Sequence, residues 1–176
     1  LSDALEVLNG IRRDSGTRLA ALVPNPRGAA RAAQAGVDEM VVFVSASESH
    51  NKKNVNCTIA ESLDGLGEIM RIASLDNVNV HGAIPTSFGC PFEGDVSLQA
   101  LGRVVGSYRA MGIRSISLGD TTGMATPPLV SAACRYLQDR FDDVHITLHF
   151  HNTRGIGLCN VMTGLDEGID AYEASF

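Results

Sequence analysis

The fold of this sequence is decided by one stretch, Ile146-Thr147-Leu148-His149-Phe150-His151-Asn152. Its alternation of apolar and polar residues is typical of a β-strand, in which side chains two positions apart share a face. His149 and His151 then lie one step apart on the same face and can reach a single metal ion. The alternative interpretation is that one or both are core histidines with hydrogen-bonding partners, because an unpaired buried polar group costs about 1–3 kcal/mol.

Outward from this stretch, helices and strands alternate along the whole chain. Short apolar runs predict six strands, near residues 19–23, 40–44, 78–84, 115–118, 146–151 and 171–175. Apolar residues at helical spacing predict helices near residues 1–13, 27–34, 59–73, 98–111, 127–140 and 156–167. A polar loop is predicted over residues 45–54. This alternation indicates a parallel sheet with right-handed crossovers.

Two architectures fit such a sheet. A doubly wound sheet is disfavoured because no Gly-x-Gly-x-x-Gly pattern follows any predicted strand. A (β/α)8 TIM barrel needs about 250 residues and places its chemistry at the C-terminal ends of the strands. Polar loops follow the predicted strands here, after Val44, Ile84, Leu118 and His149. We therefore predict an α/β fold: residues 1–176 form a single catalytic domain that is an incomplete TIM barrel, with two strands and a C-terminal segment outside this sequence.

Composition excludes several classes of protein. The 176 residues, 44% hydrophobic and 19% charged, are typical of one globular domain. The net charge of −6 and the lack of a Lys/Arg run argue against a nucleic-acid partner. No apolar run approaches the roughly 20 residues of a membrane span. The four cysteines (Cys57, Cys90, Cys134 and Cys159) lack CxxC spacing, which argues against a zinc knuckle or a disulfide scaffold and favours the cytoplasm.

Further candidates for the site follow the predicted strands. Asp120 is either a general acid/base, a carboxylate that holds an imidazole, or a turn and capping residue. Cys90 is a candidate, although a lone cysteine is more often inert packing. Residues 52–56 form a basic, amide-rich tip that is either solvated or binds a phosphate or pantetheine-like group. His81 and His145 are predicted to be hydrogen-bonded interior residues.

Six segments together resemble the bacterial type of the hydroxymethylglutaryl-CoA (HMG-CoA) lyase family, within the superfamily of metal-dependent lyase and Claisen-condensation TIM barrels. They run in order along the chain: Val23-Pro24-Asn25, residues 43–48, Lys52-Lys53-Asn54-Val55-Asn56-Cys57, Gly89-Cys90-Pro91-Phe92-Glu93-Gly94, Ser117-Leu118-Gly119-Asp120-Thr121-Thr122-Gly123 and Leu148-His149-Phe150-His151-Asn152-Thr153. The last segment is shared with isopropylmalate and homocitrate synthases. The third and fourth segments, at residues 52–57 and 89–94, indicate the lyase branch. Asn152 resembles bacterial members and the synthases, since animal members carry Asp there.

This resemblance implies strands three to eight of the barrel and a retro-Claisen cleavage of 3-hydroxy-3-methylglutaryl-CoA to acetyl-CoA and acetoacetate. His149 and His151 would bind a divalent cation, Mg²⁺ or Mn²⁺, and Asp120 and His149 would be catalytic. The residues expected to contact the acyl-CoA substrate are Asn54, Thr58, Cys90 and Ser117. The full-length protein is expected to be a homodimer or a higher homo-oligomer of the bacterial cytoplasm, without a nucleic-acid or membrane partner.

Two functional segments of the family have no match in this sequence. One is an Arg-Asp pair on the first strand, whose Asp is a metal ligand. The other follows the eighth strand and contains a Gly-rich loop with a reactive Cys, and then an Asn ligand. His149 and His151 would then be part of a larger ligand set. Two other functions remain open: a Claisen-type condensing acyltransferase, and a non-catalytic remnant of the barrel.

Overall fold

The structure is a computed structural model that describes residues 4–12, 14 and 16–174. These residues form six strands, β1 to β6: Ala20–Leu22, Glu39–Phe43, Asn79–Ile84, Ser115–Asp120, His145–Phe150 and Ala171–Glu173. They also form seven helices, α1 to α7: Ala4–Gly10, Pro26–Gln34, Glu48–Val55, Ile59–Leu75, Leu98–Ala110, Pro127–Gln138 and Gly157–Asp166. All six predicted strands are therefore present. Residues 1–3, 13 and 175, at the predicted ends of the first helix and the last strand, lie outside the described residues.

The strands form one sheet in which every pairing is parallel and the spatial order is the order in sequence, from β1 to β6. This order is that of a (β/α)8 barrel, because a doubly wound sheet reverses its strand order at a switch point. Within the described part of the chain, β1 pairs with β2 alone and β6 with β5 alone, so the sheet is open at both edges. The prediction of an incomplete TIM barrel is confirmed.

The hydrophobic core lies between the sheet and the helices on its outer side. Alternate strand residues point into it and are at most 5% exposed: Met40, Val42, Ile84, Ile116, Leu118, Ile146 and Leu148. Burying each such side chain contributes about 1.5–3 kcal/mol. Gly82 allows α5 to approach closely, because a Cβ at this position would lie 2.6 Å from the ring of Tyr108. The Tyr108 hydroxyl donates a hydrogen bond to the Ala83 carbonyl at 2.9 Å, which fixes α5 against β3.

Helix α3 lies where a polar loop was predicted, so that prediction is wrong. Its sequence lacks an apolar stripe, and Asn51 is its buried residue. Local capping makes it helical: the Ser47 side chain accepts a hydrogen bond from the His50 backbone N–H, and Asn56 ends the helix in the left-handed conformation at φ 57°. The helix carries Asn54 towards the C-terminal ends of the strands.

His81 and His145, the two histidines predicted to be interior residues, differ in their burial. His81 is 5% exposed and its Nδ1 lies 2.8 Å from the Ser115 hydroxyl, which confirms the prediction for this residue. His145 is exposed, so the prediction for it is wrong. It is the first residue of β5, where the strand begins at the surface.

The four cysteines are unpaired, as their spacing predicted. Cys90 and Cys134 are buried, whereas Cys159 is exposed. Burial raises the pKa of the Cys134 thiol to about 11, so this cysteine is a packing residue that stays protonated at neutral pH. Among the helices of the described residues, none combines the length and the hydrophobicity needed to cross a bilayer.

Candidate active site

His149 and His151 lie at the C-terminal end of β5, on the side predicted for the chemistry. Their ring centroids are 5.1 Å apart and the ring planes make an angle of 51°. The His149 side chain is 24% exposed, and His151 is exposed just beyond the strand. The two imidazoles are therefore accessible neighbours rather than core residues with their polar atoms buried.

Both rings line a cavity of about 270 Å³ at this end of the sheet. Its wall is formed by His50, Asn54, Ala83, Ile84, Pro85, Ser117, Gly119, Thr121, His149, His151 and Glu173. Four of the predicted site residues thus meet at one cavity: Asn54, Ser117, His149 and His151. Three others, Thr58, Cys90 and Asp120, are not part of its wall. A larger cavity of about 620 Å³ lies between α1, β1 and α2 and has no titratable group other than Arg27 and Arg31, so it is not a candidate for acid–base chemistry.

The position of α3 above the cavity is fixed by Asn51. Its Oδ1 accepts a hydrogen bond from the Ser45 backbone N–H at 3.0 Å. Its Nδ2 donates to the Cys57 carbonyl at 2.9 Å and to the Ser62 hydroxyl at 2.7 Å. A buried amide with its hydrogen bonds made in this way fixes the local geometry. His50 and Asn54, one helical turn apart, consequently face the cavity together.

Cys90 lies beside this helix rather than in the cavity. It is 1% exposed, and its sulfur accepts hydrogen bonds from the Ser47 hydroxyl at 3.0 Å and from the Phe92 N–H at 3.4 Å. The loop that carries it contacts α3 twice more: Glu93 Oε1 accepts from the Ser49 N–H at 2.6 Å, and Lys53 Nζ lies 3.8 Å from the centroid of the Phe92 ring. In this position Cys90 holds the 85–97 loop against α3.

Thr58 caps helix α4. Its hydroxyl accepts a hydrogen bond from the Glu61 N–H at 3.1 Å, while Glu61 Oε2 accepts from the Thr58 N–H at 2.7 Å. This reciprocal pair is a capping box. The predicted contact of Thr58 with substrate therefore has to be made beside this cap, outside the cavity wall.

Asp120 ends β4 and is 2% exposed. Its Oδ1 accepts a hydrogen bond from the Ala125 N–H at 2.9 Å, whereas Oδ2 is buried and has no hydrogen-bonding partner. Burial raises the pKa of the Asp120 carboxyl, and the Ala125 N–H and the positive charges of His151 and Arg154 act in the opposite direction. The carboxyl therefore braces the loop after β4 and lies within electrostatic reach of His151.

The loops after β4 and β5 are packed together. Gly123 has φ 66°, and a Cβ there would lie 2.6 Å from the Thr153 Cβ. Arg154 donates hydrogen bonds to the carbonyls of Thr122 and Gly123. Asn152 turns away from the histidines, since its Oδ1 accepts from the Gly157 N–H at 3.0 Å at the start of α7. Asn152 thus orients the loop that carries His151.

Three cavity residues with polar side chains were not predicted from the sequence: His50, Thr121 and Glu173. His50 and Asn54 are at positions i and i+4, a spacing that predicts a shared face once this segment is helical, as it is in α3. Thr121 holds the neighbouring loop, because its hydroxyl accepts a hydrogen bond from the Thr86 N–H at 2.9 Å. Glu173 reaches the cavity because β6 pairs in register with β5, which places Glu173 beside His149.

The donor atoms around the cavity are suited to a divalent cation. His149 and His151 offer two imidazole nitrogens, and Asn54, Ser117 and Thr121 offer neutral oxygens on the same wall. Imidazole nitrogens and neutral oxygens are both ligands that divalent cations accept. The described residues contain no group of three or more His, Cys, Asp or Glu side chains placed to hold a metal ion. The two histidines fit as part of a ligand set.

Comparisons with known proteins agree with the fold. The hydroxymethylglutaryl-CoA lyase YngG of Bacillus subtilis is 42% identical over 175 residues, which are 99% of this chain and 58% of that protein. The crystal structure of the B. subtilis HMG-CoA lyase has a TM-score of 0.96, with 99% of this chain and 59% of that chain covered. An Acinetobacter baumannii HMG-CoA lyase, solved in complex with coenzyme A and 3-methylmalate, has a TM-score of 0.94 at 38% identity, with 99% and 57% covered.

The chain therefore spans a little under three fifths of the length of these relatives. A family model described as HMGL-like matches residues 2–176, nearly the whole sequence. Because this match includes all six strands and both histidines, this chain belongs to the HMGL-like family.

Proposed function

We propose that the natural polypeptide containing this chain is a divalent-metal-dependent lyase that cleaves 3-hydroxy-3-methylglutaryl-CoA to acetyl-CoA and acetoacetate. The observation that carries this proposal is the 270 Å³ cavity at the C-terminal ends of the strands, where His149 and His151 stand side by side. The relatives described above are named HMG-CoA lyases, and this favours the lyase over a condensing acyltransferase.

His149 and His151 are the residues proposed to hold the cation, Mg²⁺ or Mn²⁺. When bound, such an ion polarises the oxygens of a substrate and stabilises the negative charge that develops on them. The proposed catalytic groups are Asp120 and His149. Because Asp120 is buried behind the cavity wall, with Oδ1 held by the Ala125 N–H and the carboxyl within electrostatic reach of His151, we assign it the role of a fixed acidic group beside the histidine pair.

The reaction needs one proton to leave and one to arrive. The tertiary hydroxyl loses its proton as the adjacent carbon–carbon bond breaks, and its oxygen becomes the ketone of acetoacetate. The electron pair of the broken bond passes to the thioester carbon fragment, which is an enolate until it takes up a proton and becomes acetyl-CoA. The residues of this cavity would position the hydroxyl and the carboxylate for the first of these events.

The acyl-CoA would approach from the side of α3. Asn54 and Ser117 line the cavity in which the acyl group would bind. Thr58 and Cys90 flank α3 outside it and are proposed to contact the longer part of the substrate. Lys52 is exposed on the same helix and can attract phosphate groups. A relative solved with coenzyme A is consistent with such a ligand. We also propose that the protein is a homo-oligomer and that it is located in the bacterial cytoplasm.

The test is a product assay on the longest natural polypeptide that contains residues 1–176. With Mg²⁺ or Mn²⁺ present, we expect equal amounts of acetoacetate and acetyl-CoA from HMG-CoA. Exhaustive EDTA treatment should remove the activity, and Mg²⁺ or Mn²⁺ should restore it better than Zn²⁺. Activity that survives EDTA unchanged would contradict the metal requirement. Condensation of an acyl-CoA with a 2-oxo acid, without cleavage of HMG-CoA, would identify an acyltransferase instead.

A further inference from the structure

Glu173 places its carboxylate between two histidines. Oε2 lies 3.4 Å from His149 Nδ1, and Oε1 lies 3.4 Å from His81 Nε2. These distances are those of ion pairs and longer than aligned hydrogen bonds. The contact with His149 follows from strand register, because β5 and β6 pair these two residues directly. The contact with His81 spans the open inner face of the sheet, from β6 to β3.

The contacts of His81 indicate which of its ring nitrogens carries the proton. His81 is 5% exposed, and its Nδ1 lies 2.8 Å from the Ser115 hydroxyl. When that hydroxyl donates to Nδ1, the ring proton is on Nε2, which faces Glu173. His81 Nε2 is buried and makes no aligned hydrogen bond within the described part of the protein, so the carboxylate at 3.4 Å is its available partner. A buried donor left without an acceptor is destabilising, which favours keeping Glu173 in place.

We propose that Glu173 is a positioning residue that holds the His149 ring with Nδ1–H towards its carboxylate, so that the Nε2 lone pair faces the cavity and is free to bind the cation. His81, oriented by Ser115, holds the other carboxylate oxygen. Carboxylates that accept a hydrogen bond from a metal-binding histidine select the tautomer and strengthen the ligand. This inference rests on the proposed function for the identity of the ligand, but the tautomer of His149 can be measured without it.

The first experiment measures that tautomer in metal-free protein by long-range ¹⁵N–¹H NMR of ¹⁵N-histidine-labelled natural polypeptide. The measurement is repeated over a range of alkaline pH, and the tautomer is read where the spectrum no longer changes with pH. The His149 signals are assigned by their loss in His149→Gln. We expect the Nδ1–H form in the unmodified protein and a shift towards Nε2–H, the form usually preferred by free imidazole, in Glu173→Ala. Asp170→Asn is the matched control: it removes an exposed acidic group three residues away and should change nothing.

The second experiment measures Mn²⁺ binding by calorimetry in the absence of substrate. Glu173→Ala is expected to raise the Kd by about 10- to 100-fold, as expected for loss of an outer-shell partner. Glu173→Gln keeps the shape and one acceptor oxygen and should give a smaller increase, while Asp170→Asn should leave Kd within about twofold of the unmodified protein. Melting curves of all variants confirm folding, which should persist because the Glu173 side chain is 41% exposed.

The outcomes separate this inference from the proposed function. An unchanged tautomer and an unchanged Kd in Glu173→Ala overturn the inference while leaving HMG-CoA cleavage intact. A rise in the Kd for Mn²⁺ as large as that in His149→Ala also overturns it, because Glu173 would then be a ligand rather than a positioning residue. A tautomer that depends on Glu173 in a protein that does not cleave HMG-CoA supports the inference and removes the proposed function.

Discussion

Replacement of His149 by alanine is expected to lower the kcat of HMG-CoA cleavage by about a thousandfold or more. The reason is that His149 is a proposed ligand of the cation, and a thousandfold loss of the charge stabilisation that the cation would supply corresponds to about 4 kcal/mol. The ring lies at the mouth of the strands, is 24% exposed and lines the cavity, so its removal should leave the core intact. Steady-state kinetics at saturating Mg²⁺ or Mn²⁺, with metal content measured in parallel, give the result.

The matched control is His145→Ala. His145 is on the same strand, but it is exposed at the other end of β5 and does not line the cavity. The His145→Ala variant also replaces a histidine by alanine, but it leaves the proposed ligands in place. Its kcat should stay within about twofold of the unmodified protein because isolated surface substitutions have small effects. Equal losses of activity in the two variants would show that the His149 effect is structural.

Asp120→Asn is expected to lower kcat by about a hundredfold with a KM within about threefold of normal. The substitution keeps the shape of the side chain and an oxygen that can accept from the Ala125 N–H, but removes the negative charge that acts on His151. An effect confined to kcat would place the charge of Asp120 in the transition state rather than in substrate binding. Steady-state kinetics with HMG-CoA, beside Asp170→Asn as a charge-matched control, measure this.

The stability of the same variant distinguishes this role from simple bracing of the loop. Burial raises the pKa of Asp120, so the folded state binds its proton more tightly than the unfolded state, and this group's contribution to stability is lost as the pH rises through the raised pKa. At neutral pH the buried charge therefore costs stability, and Asp120→Asn should melt at an equal or a higher temperature. A variant with near-normal kcat that melts earlier would identify Asp120 as a structural residue alone.

The parts of the structure that sequence predicted are those set by local periodicity. The apolar run at residues 40–44 and the alternation of polar and apolar residues at 115–118 located strands that the structure contains. The alternation around His149 placed both histidines on one face at the C-terminal end of β5, where the cavity lies. Parallel strands end at the same edge of a barrel, so residues that follow different strands converge there. Asn54, which follows β2, meets the histidines for this reason, whereas Ser117 lies within β4 and faces the same cavity.

The features that the sequence did not predict depend on helix capping, on which face of a strand a residue occupies, or on the register between strands. Helix α3 has no apolar stripe to detect, and its formation depends on Ser47 and Asn51. Asp120 lies on the same face of β4 as the buried residues Ile116 and Leu118. It therefore points away from the cavity, which Ser117 on the opposite face lines. Glu173 contacts His149 through the pairing of two strands, and one sequence does not give that register.

The most direct test of the proposed metal site is electron spin echo spectroscopy of the natural polypeptide loaded with Mn²⁺. If His149 and His151 hold the cation, the spectrum should contain couplings to two directly bound imidazole nitrogens. His149→Ala should remove one of them, and His145→Ala should leave both. Binding of Mn²⁺ without any coupling to a histidine nitrogen would contradict the assignment of this site.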